Sequence, residues 1–148
     1  MEIREVLIED IDDLQELYLN HLTPYPPQQP QRREHWIALI EKLMLDSDYH
    51  LIVGVEGCTV VSSVTLVVIR NLTHNLRPYS VMENVVTHKD FRNKGYASKL
   101  IEYGSNIAKQ ENCYKIMLMT GSKRETTLNF YKKNGFSIAE KTACLKRL

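Results

Sequence analysis

The residues best suited to chemistry lie in one stretch, where Val85, Val86 and Thr87 lead through a short link into Arg92-Asn93-Lys94-Gly95-Tyr96-Ala97 and a helix begins. A turn feeding a helix N-terminus aims several unpaired backbone N–H groups, and the positive end of the helix dipole, at one point in space. Gly95 lets the chain come close to an anion, and Ala97 two positions later keeps the first helical turn clear. Arg92 and Lys94 add positive charge, and Lys89 and Lys99 extend the field. Such a turn fits a diphosphate. A plain helix cap with solvated basic residues fits the same spacing, so the surroundings have to decide. Other chemistries are poorly served. There is no GxxxxGK[ST] phosphate loop, and His21, His35, His50 and His74 have no metal-ligand spacing, so no metal is expected. Cys113 and Cys144 have no neighbour that would activate a thiol nucleophile.

At 148 residues and 17.2 kDa the chain is the size of one domain, 1–148. Nineteen Lys plus Arg against 18 Asp plus Glu leave a net charge of +1, which argues against a nucleic-acid or anionic-membrane partner. The longest apolar stretch, residues 60–69, is interrupted by Ser62, Ser63 and Thr65 and falls short of the roughly 20 residues a membrane span needs. No basic-then-apolar leader opens the sequence. Cys58, Cys113 and Cys144 form no even framework, which predicts reduced, mostly buried thiols in a cytoplasmic protein.

A first strand is predicted over residues 2–8, and Asp10 then offers an N-cap for a helix with Ile11, Leu14, Leu17 and Tyr18 on one face. The prolines of residues 23–30 exclude helix and central strand. Trp36, Leu39, Ile40, Leu43 and Met44 mark a second amphipathic helix. Residues 49–55 and 58–69 read as a hairpin turning at Glu56-Gly57, and residues 79–87 as a further strand. After the basic turn, Ala97, Leu100, Ile101, Gly104, Ile107 and Ala108 repeat at helical spacing. Residues 114–120 are apolar on both faces, as in a central strand. Residues 125–134 read as a helix stopping at Gly135, and a last strand is predicted within 141–147. The order β-α-α-β-β-β-α-β-α-β predicts an α/β domain with a mixed sheet, antiparallel first and partly parallel later.

Two neighbours of the basic turn extend the pattern: Glu83-Asn84-Val85-Val86-Thr87 before it, and Asn129-Phe130-Tyr131-Lys132-Lys133-Asn134-Gly135-Phe136 beyond the next strand. With them the chain resembles the GNAT superfamily of acyl-coenzyme A-dependent N-acetyltransferases. The turn matches the superfamily's Q/R-x-x-G-x-G/A pyrophosphate motif, and the later segment its FY-x-x-x-GF signature. The resemblance covers nearly the whole chain in element order, while its specific motifs lie between Glu83 and Phe136.

What the resemblance implies can be written residue by residue. The fold would be a mixed, mostly antiparallel sheet with a splayed central parallel pair, flanked by helices. Acetyl-CoA would be the co-substrate, with no metal, and the activity that of an acyltransferase acting on an amine in a ternary complex. The strand before the phosphate turn would bulge, and the backbone of Val85, Val86 and Thr87 would pair with the amide arm of the cofactor. Val85-Val86 breaks simple alternation, which fits a bulge and equally fits a strand buried on both faces. One N–H there would stabilise the oxyanion, an effect worth about 3–4 kcal/mol. Arg92, Asn93, Lys94, Gly95, Tyr96, Ala97 and Ser98 would hold the phosphates, and Asn129 would join Tyr131 on the cofactor.

Tyr131 would be the acid, because a phenol with an ordinary pKa of about 10 keeps its proton at neutral pH and can give it to a departing thiolate. A core aromatic on a helix that also carries Leu128 is its bland alternative. Glu83 is the leading base, acting directly or through water, with a sheet residue paired to a polar neighbour as the alternative. His88 is a second candidate base. Arg124 stands seven residues before Tyr131, where many members carry Asn, which puts that contact in doubt. Within the superfamily the motifs look similar to acetyltransferases of small-molecule amines and amino-sugars. These are favoured as acceptors over a peptide N-terminus or a lysine side chain, while all four stay open, and many relatives are homodimers. The amine is expected to enter beside the first two helices and their proline-rich connector, walled by Tyr25 and Trp36. A non-catalytic acyl-CoA binder or sensor of the same fold, and a nucleotide or RNA binder using the basic turn, are the rival readings.

Overall fold

The computed structural model describes residues 1–23 and 25–148; Pro24, within the expected proline-rich connector, lies outside the described residues. The chain divides into two compact units, Met1–Met117 and Leu118–Leu148.

The first unit is a five-stranded sheet in the order β1-β2-β3-β4-β5, formed by β1 (Glu2–Glu5), β2 (Tyr49–Glu56), β3 (Thr59–Ile69), β4 (Tyr79–Thr87) and β5 (Ile116–Met117). The first four strands run antiparallel to their neighbours, and β4 and β5 pair in parallel. The predicted hairpin is there, turning at Gly57, whose φ of +64° is reached without strain only by a residue lacking Cβ. The parallel ladder is short: Ser80 faces Ile116 and Val81 faces Met117, and the strand expected over 114–120 is reduced to those two residues.

Helices pack on both faces of this sheet. On one, α1 (Ile11–Leu17) buries Ile11, Leu14 and Leu17, as the spacing predicts, against Leu51, Val53, Val60 and Val86. Asp10 precedes α1 but does not cap it through its side chain. Its carboxylate receives two bonds from Arg4, at 2.6 and 2.9 Å, and one from the Leu7 N–H at 2.7 Å. A charged partner outcompetes a helix N–H for a buried carboxylate. The helix runs on into a π-helical turn, Tyr18–Leu22. In α2 (Arg33–Met44), Ile40 alone is fully buried, while Leu39 and Met44 are 56% and 48% exposed. On the opposite face lies α3 (Tyr96–Gln110), burying Leu100, Ile101, Gly104 and Ala108. A Cβ on Gly104 would sit 3.1 Å from Met82 Cε and 3.4 Å from Ile52 Cδ1, so glycine sets how closely this helix approaches the sheet.

The second unit carries α4 (Glu125–Lys133), which ends as expected before Gly135 at φ +86°. Among the described residues no side chain caps its start; Ser122 braces it instead, its hydroxyl accepting the N–H of Arg124, the residue before the helix, at 3.3 Å and donating to Thr127 Oγ1 at 3.1 Å. The strand predicted within 141–147 is not formed. These residues are exposed and without regular structure, and a lone extended segment gains nothing until a neighbour takes up its peptide groups. The expectation of mostly buried thiols also fails. Cys58 and Cys144 are exposed and Cys113 is half-buried; Cys58 follows the hairpin glycine and is carried to the surface by the turn. No helix among the described residues is long and apolar enough to cross a membrane.

Candidate functional site

The strand β4 bulges. Glu83 pairs with Thr65 and Val86 with Ser63, so Asn84 and Val85 together oppose the single residue Val64. Asn84 takes up the extra residue in the left-handed region, φ +54°, which asparagine tolerates better than most side chains. The bulge changes which peptides face outward. The His88 N–H donates to Val61 O at 2.8 Å. Since pairing alternates along an antiparallel ladder, Val86 turns its peptide groups to β3 and Thr87 turns its own away. Ser62 Oγ donates to Val86 O and meets Thr87 Oγ1, both at 2.8 Å. The parallel partner β5 accompanies β4 at Ser80 and Val81 only, so the outward peptide of Thr87 lies beyond that ladder. Of the three expected backbone contacts, Val85 thus lies in the bulge, Val86 faces the sheet, and Thr87 faces outward.

The following turn holds two more left-handed residues, Asn93 at φ +62° and Gly95 at φ +77°, immediately before α3. Reversals of this kind direct successive N–H groups inward as an anion-binding nest, at the positive end of a 15-residue helix. A Cβ on Gly95 would meet nothing within 4 Å. The residue is therefore required by its backbone angle, and the space above it is open. Arg92 Nε donates to Thr87 O at 3.1 Å, closing the turn on the strand end. Lys94 Nζ lies 4.6 Å from the centre of the Phe91 ring. The Tyr96 hydroxyl donates to Glu56 Oε2 at 2.8 Å, tying the first turn of α3 to the β2–β3 hairpin. That bond is the main reason the Glu56 carboxyl is lowered and the Tyr96 hydroxyl raised. Arg92, Asn93, Lys94 and Gly95 are exposed, while Tyr96, Ala97 and Ser98 are half-buried in the first helical turn. These donors suit a diphosphate: peptide N–H groups, a guanidinium and an ammonium around open space.

Glu83 is half-buried, and desolvation raises its carboxyl above the ordinary value of 4.5. Directly opposed residues of an antiparallel pair share a face, so Glu83 lies on the face of its partner Thr65. That face holds a cavity of about 480 Å³, lined among others by the buried Thr65, the exposed Asn84, Tyr18, Trp36 and Leu39. Trp36, one of the two aromatic residues expected beside the amine, lines this cavity. Tyr25 is not in the lining and is 88% exposed. The Tyr18 hydroxyl bonds Ser63 Oγ at 3.2 Å; burial pushes its pKa up, with Ser63 and then Thr65 acting in the opposite sense. Thr65 Oγ1 is itself buried with no partner in hydrogen-bond geometry.

Asn84, Thr65 and Tyr18 were missed from sequence. For Asn84 there was a signal, an asparagine interrupting a β-branched run. For the other two there was none, because strand and helix residues meet only in the fold. His88 is not isolated. It lies with His21 at 4.1 Å between ring centres, and the ligand-capable atoms of Glu16, His21 and His88 all fall within 4.8 Å of one another, a grouping the spacing of histidines along the chain did not suggest.

Asn129 and Tyr131 belong to the second unit, on α4. Asn129 is exposed, as are Lys123 and Arg124. Tyr131 is half-buried, with its ring 5.1 Å from that of Phe130 and 6.1 Å from that of Phe136. Its carbonyl accepts the N–H groups of Asn134 and Phe136 at 3.0 and 3.1 Å. The FY-x-x-x-GF segment is thus a helix end folded on its own aromatic residues, with Gly135 making the reversal.

The sequence profile of the acetyltransferase (GNAT) family matches residues 11–136, well over half the chain. Among solved structures, a candidate acetyltransferase from Agrobacterium tumefaciens str. C58 is similar at 28% identity and a TM-score of 0.88, over 99% of this chain and 100% of its own. An acetyltransferase from Trypanosoma brucei is similar at 27% identity and a TM-score of 0.80, over 99% of each chain. Glucosamine-6-phosphate N-acetyltransferase from Arabidopsis thaliana shares the fold at 20% identity, with a TM-score of 0.81 over 99% of this chain and 97% of its own. A bulged strand running into a nest at a helix N-terminus, inside a mixed sheet that such structures share, makes this chain a member of the acetyltransferase (GNAT) family.

Proposed function

We propose that the chain, acting as one domain over residues 1–148, is an N-acetyltransferase that moves an acetyl group from acetyl-CoA to the primary amine of a small molecule by direct transfer in a ternary complex. The observation that carries this reading is the backbone from Asn84 to Gly95, where three left-handed residues produce a bulge and then a nest. The family match supports the one-domain reading, since residues 11–136 run across both compact units.

The nest at Asn93–Tyr96, with Arg92 and Lys94, binds the diphosphate, and Ala97 and Ser98 complete the first helical turn beneath it. Val85 and Thr87 offer peptide groups to the amide arm, and an N–H there takes up the charge that develops on the acyl oxygen. When bound, acetyl-CoA supplies an activated carbonyl and a thiolate leaving group. Glu83 receives a proton from the amine, directly or through water; its raised pKa makes it a better base than an exposed carboxylate. The nitrogen forms its bond to the carbonyl carbon, the carbon–sulfur bond breaks, and Tyr131 gives its proton to the sulfur. Asn129 is a further cofactor contact. No metal is called for, because the neutral amine is already a nucleophile and peptide N–H groups serve the oxygen.

A thermal-shift titration with acetyl-CoA, CoA and ATP, followed by CoA release with an amine panel, tests the proposal. Acetyl-CoA and CoA stabilise at about 100 times their Kd by roughly 2.7 kcal/mol, several degrees for this length, and ATP does not. Equal stabilisation by ATP overturns the thioester assignment. Stabilisation by acetyl-CoA with no turnover of any amine makes the chain a binder or sensor.

A further inference from the structure

The cavity on the α1–α2 face is large enough for a small ligand, about 480 Å³, and its charge pattern is selective. Its lining is leucine, isoleucine, proline and aromatic side chains, and among the described residues it includes no Asp, Glu, Lys or Arg. Gln31 and His35 are polar but already bonded to each other at 2.7 Å. The remaining polar lining residues are Tyr18, whose hydroxyl is bonded to Ser63, Tyr49, the buried Thr65 and the exposed Asn84, the last two beside Glu83 in the register. Thr65 is 2% exposed, and its Oγ1 is buried without a hydrogen-bond partner. We infer that this cavity binds the acceptor, and that the acceptor is a primary amine on an apolar body, aromatic or branched alkyl, rather than an amino-sugar, a sugar phosphate or a polyamine.

The physical reason is desolvation. A polyamine or polyamino-sugar brings further ammonium groups that need carboxylates beyond the one Glu83 supplies beside Thr65, and a sugar phosphate needs cations; the lining offers neither. Hydroxyl-rich rings would leave most of their hydrogen bonds unmade against Leu39, Trp36 and the prolines. A phenyl or branched alkyl group loses nothing there. Its single amine nitrogen would lie beside Thr65, whose Oγ1 can accept an N–H, on the sheet face that also carries Glu83 to take the proton.

The inference rests on the acetyl-transfer reading for its turnover arm only, because Trp36 gives an independent readout. It is the sole tryptophan of the chain and it lines the cavity. The full chain is titrated with phenethylamine, isopentylamine, glucosamine 6-phosphate, kanamycin and spermidine, following Trp36 fluorescence and, with acetyl-CoA present, CoA release. The expected result is saturable quenching by phenethylamine or isopentylamine and a kcat/KM at least tenfold above that of the other three. Leu39→Asp, at a half-exposed wall position, is expected to lower that kcat/KM at least tenfold while the acetyl-CoA thermal shift persists; Leu39→Met is expected to retain it. Preference for glucosamine 6-phosphate, kanamycin or spermidine overturns the inference and leaves acetyl transfer standing. No Trp36 response to either apolar amine overturns it as well. Quenching by the apolar amines, abolished in Leu39→Asp, with no turnover of any amine, supports the cavity assignment and overturns acetyl transfer.

Discussion

Glu83 and Thr65 are cross-strand partners on the last regular pair of the β3–β4 ladder before Asn84 bulges. One consequence is that a carboxyl with a raised pKa and a buried, unbonded hydroxyl share the face that holds the apolar cavity. The other is that the very next residues reverse the ladder's parity and send the Thr87 peptide outward. The cofactor edge of the proposal is therefore set by a single extra residue, immediately beyond the pair that marks its acceptor face.

Glu83→Gln is expected to lower kcat/KM by 10²–10⁴, the ordinary contribution of a positioned base. In the parent, activity rises with pH along a limb whose midpoint lies above the ordinary 4.5, because desolvation raises the carboxyl. A pH–rate profile of both proteins checks this, and an unchanged limb in the variant excludes Glu83 as the titrating base.

The same substitution has a stability signature of opposite sign. The folded chain holds the Glu83 proton more tightly than the unfolded chain, so ionised Glu83 costs stability once pH rises through its folded value. Glu83→Gln should melt above the parent near pH 7.5, with the gap closing below about pH 4, where both side chains are neutral. Melting curves across that range decide it, and a variant less stable than the parent at pH 7.5 contradicts the desolvation account.

At Asn84, glycine should keep the bulge and valine should not. A β-branched side chain in the left-handed region costs on the order of 1–3 kcal/mol. The ladder can escape that cost only by losing the extra residue, which turns Thr87 back toward β3. Asn84→Val is thus expected to weaken CoA binding at least tenfold and Asn84→Gly much less, as measured by calorimetry. Equal affinities would detach the cofactor edge from the bulge.

Gly95 separates backbone angle from charge. Gly95→Ala meets open space but must hold φ +77°, at a cost of about 1–2 kcal/mol, or several degrees in Tm. Gly95→Glu adds a carboxylate at the nest and should abolish the thermal shift by CoA, which Gly95→Ala should only reduce. A full CoA shift in Gly95→Glu would move the diphosphate site elsewhere.

Tyr131→Phe is expected to lower kcat by 10²–10⁴ with CoA affinity nearly unchanged, since it removes one proton donor and keeps the ring between Phe130 and Phe136. Stopped-flow or steady-state kinetics beside calorimetry read the two quantities apart. Equal kcat for both proteins removes Tyr131 from the mechanism.

By itself the sequence determined what is local. The α1 and α3 faces follow from spacing, the hairpin from Glu56-Gly57, the helix stop from Gly135, and the turn that opens α3 from Gly95, because each depends on interactions within a few residues. Tertiary structure decided whatever needed a partner distant in sequence. Asp10 looked like a helix cap until Arg4 claimed its carboxylate. The strand expected within 141–147 had the composition and no neighbour. Only folding set Thr65 beside Glu83, and only folding drew Tyr18, Trp36 and Leu39 around a cavity whose lining, among the described residues, holds no Asp, Glu, Lys or Arg. Register, burial and desolvation arise from segments far apart in the chain, and spacing along one segment carries no record of what will lie against it.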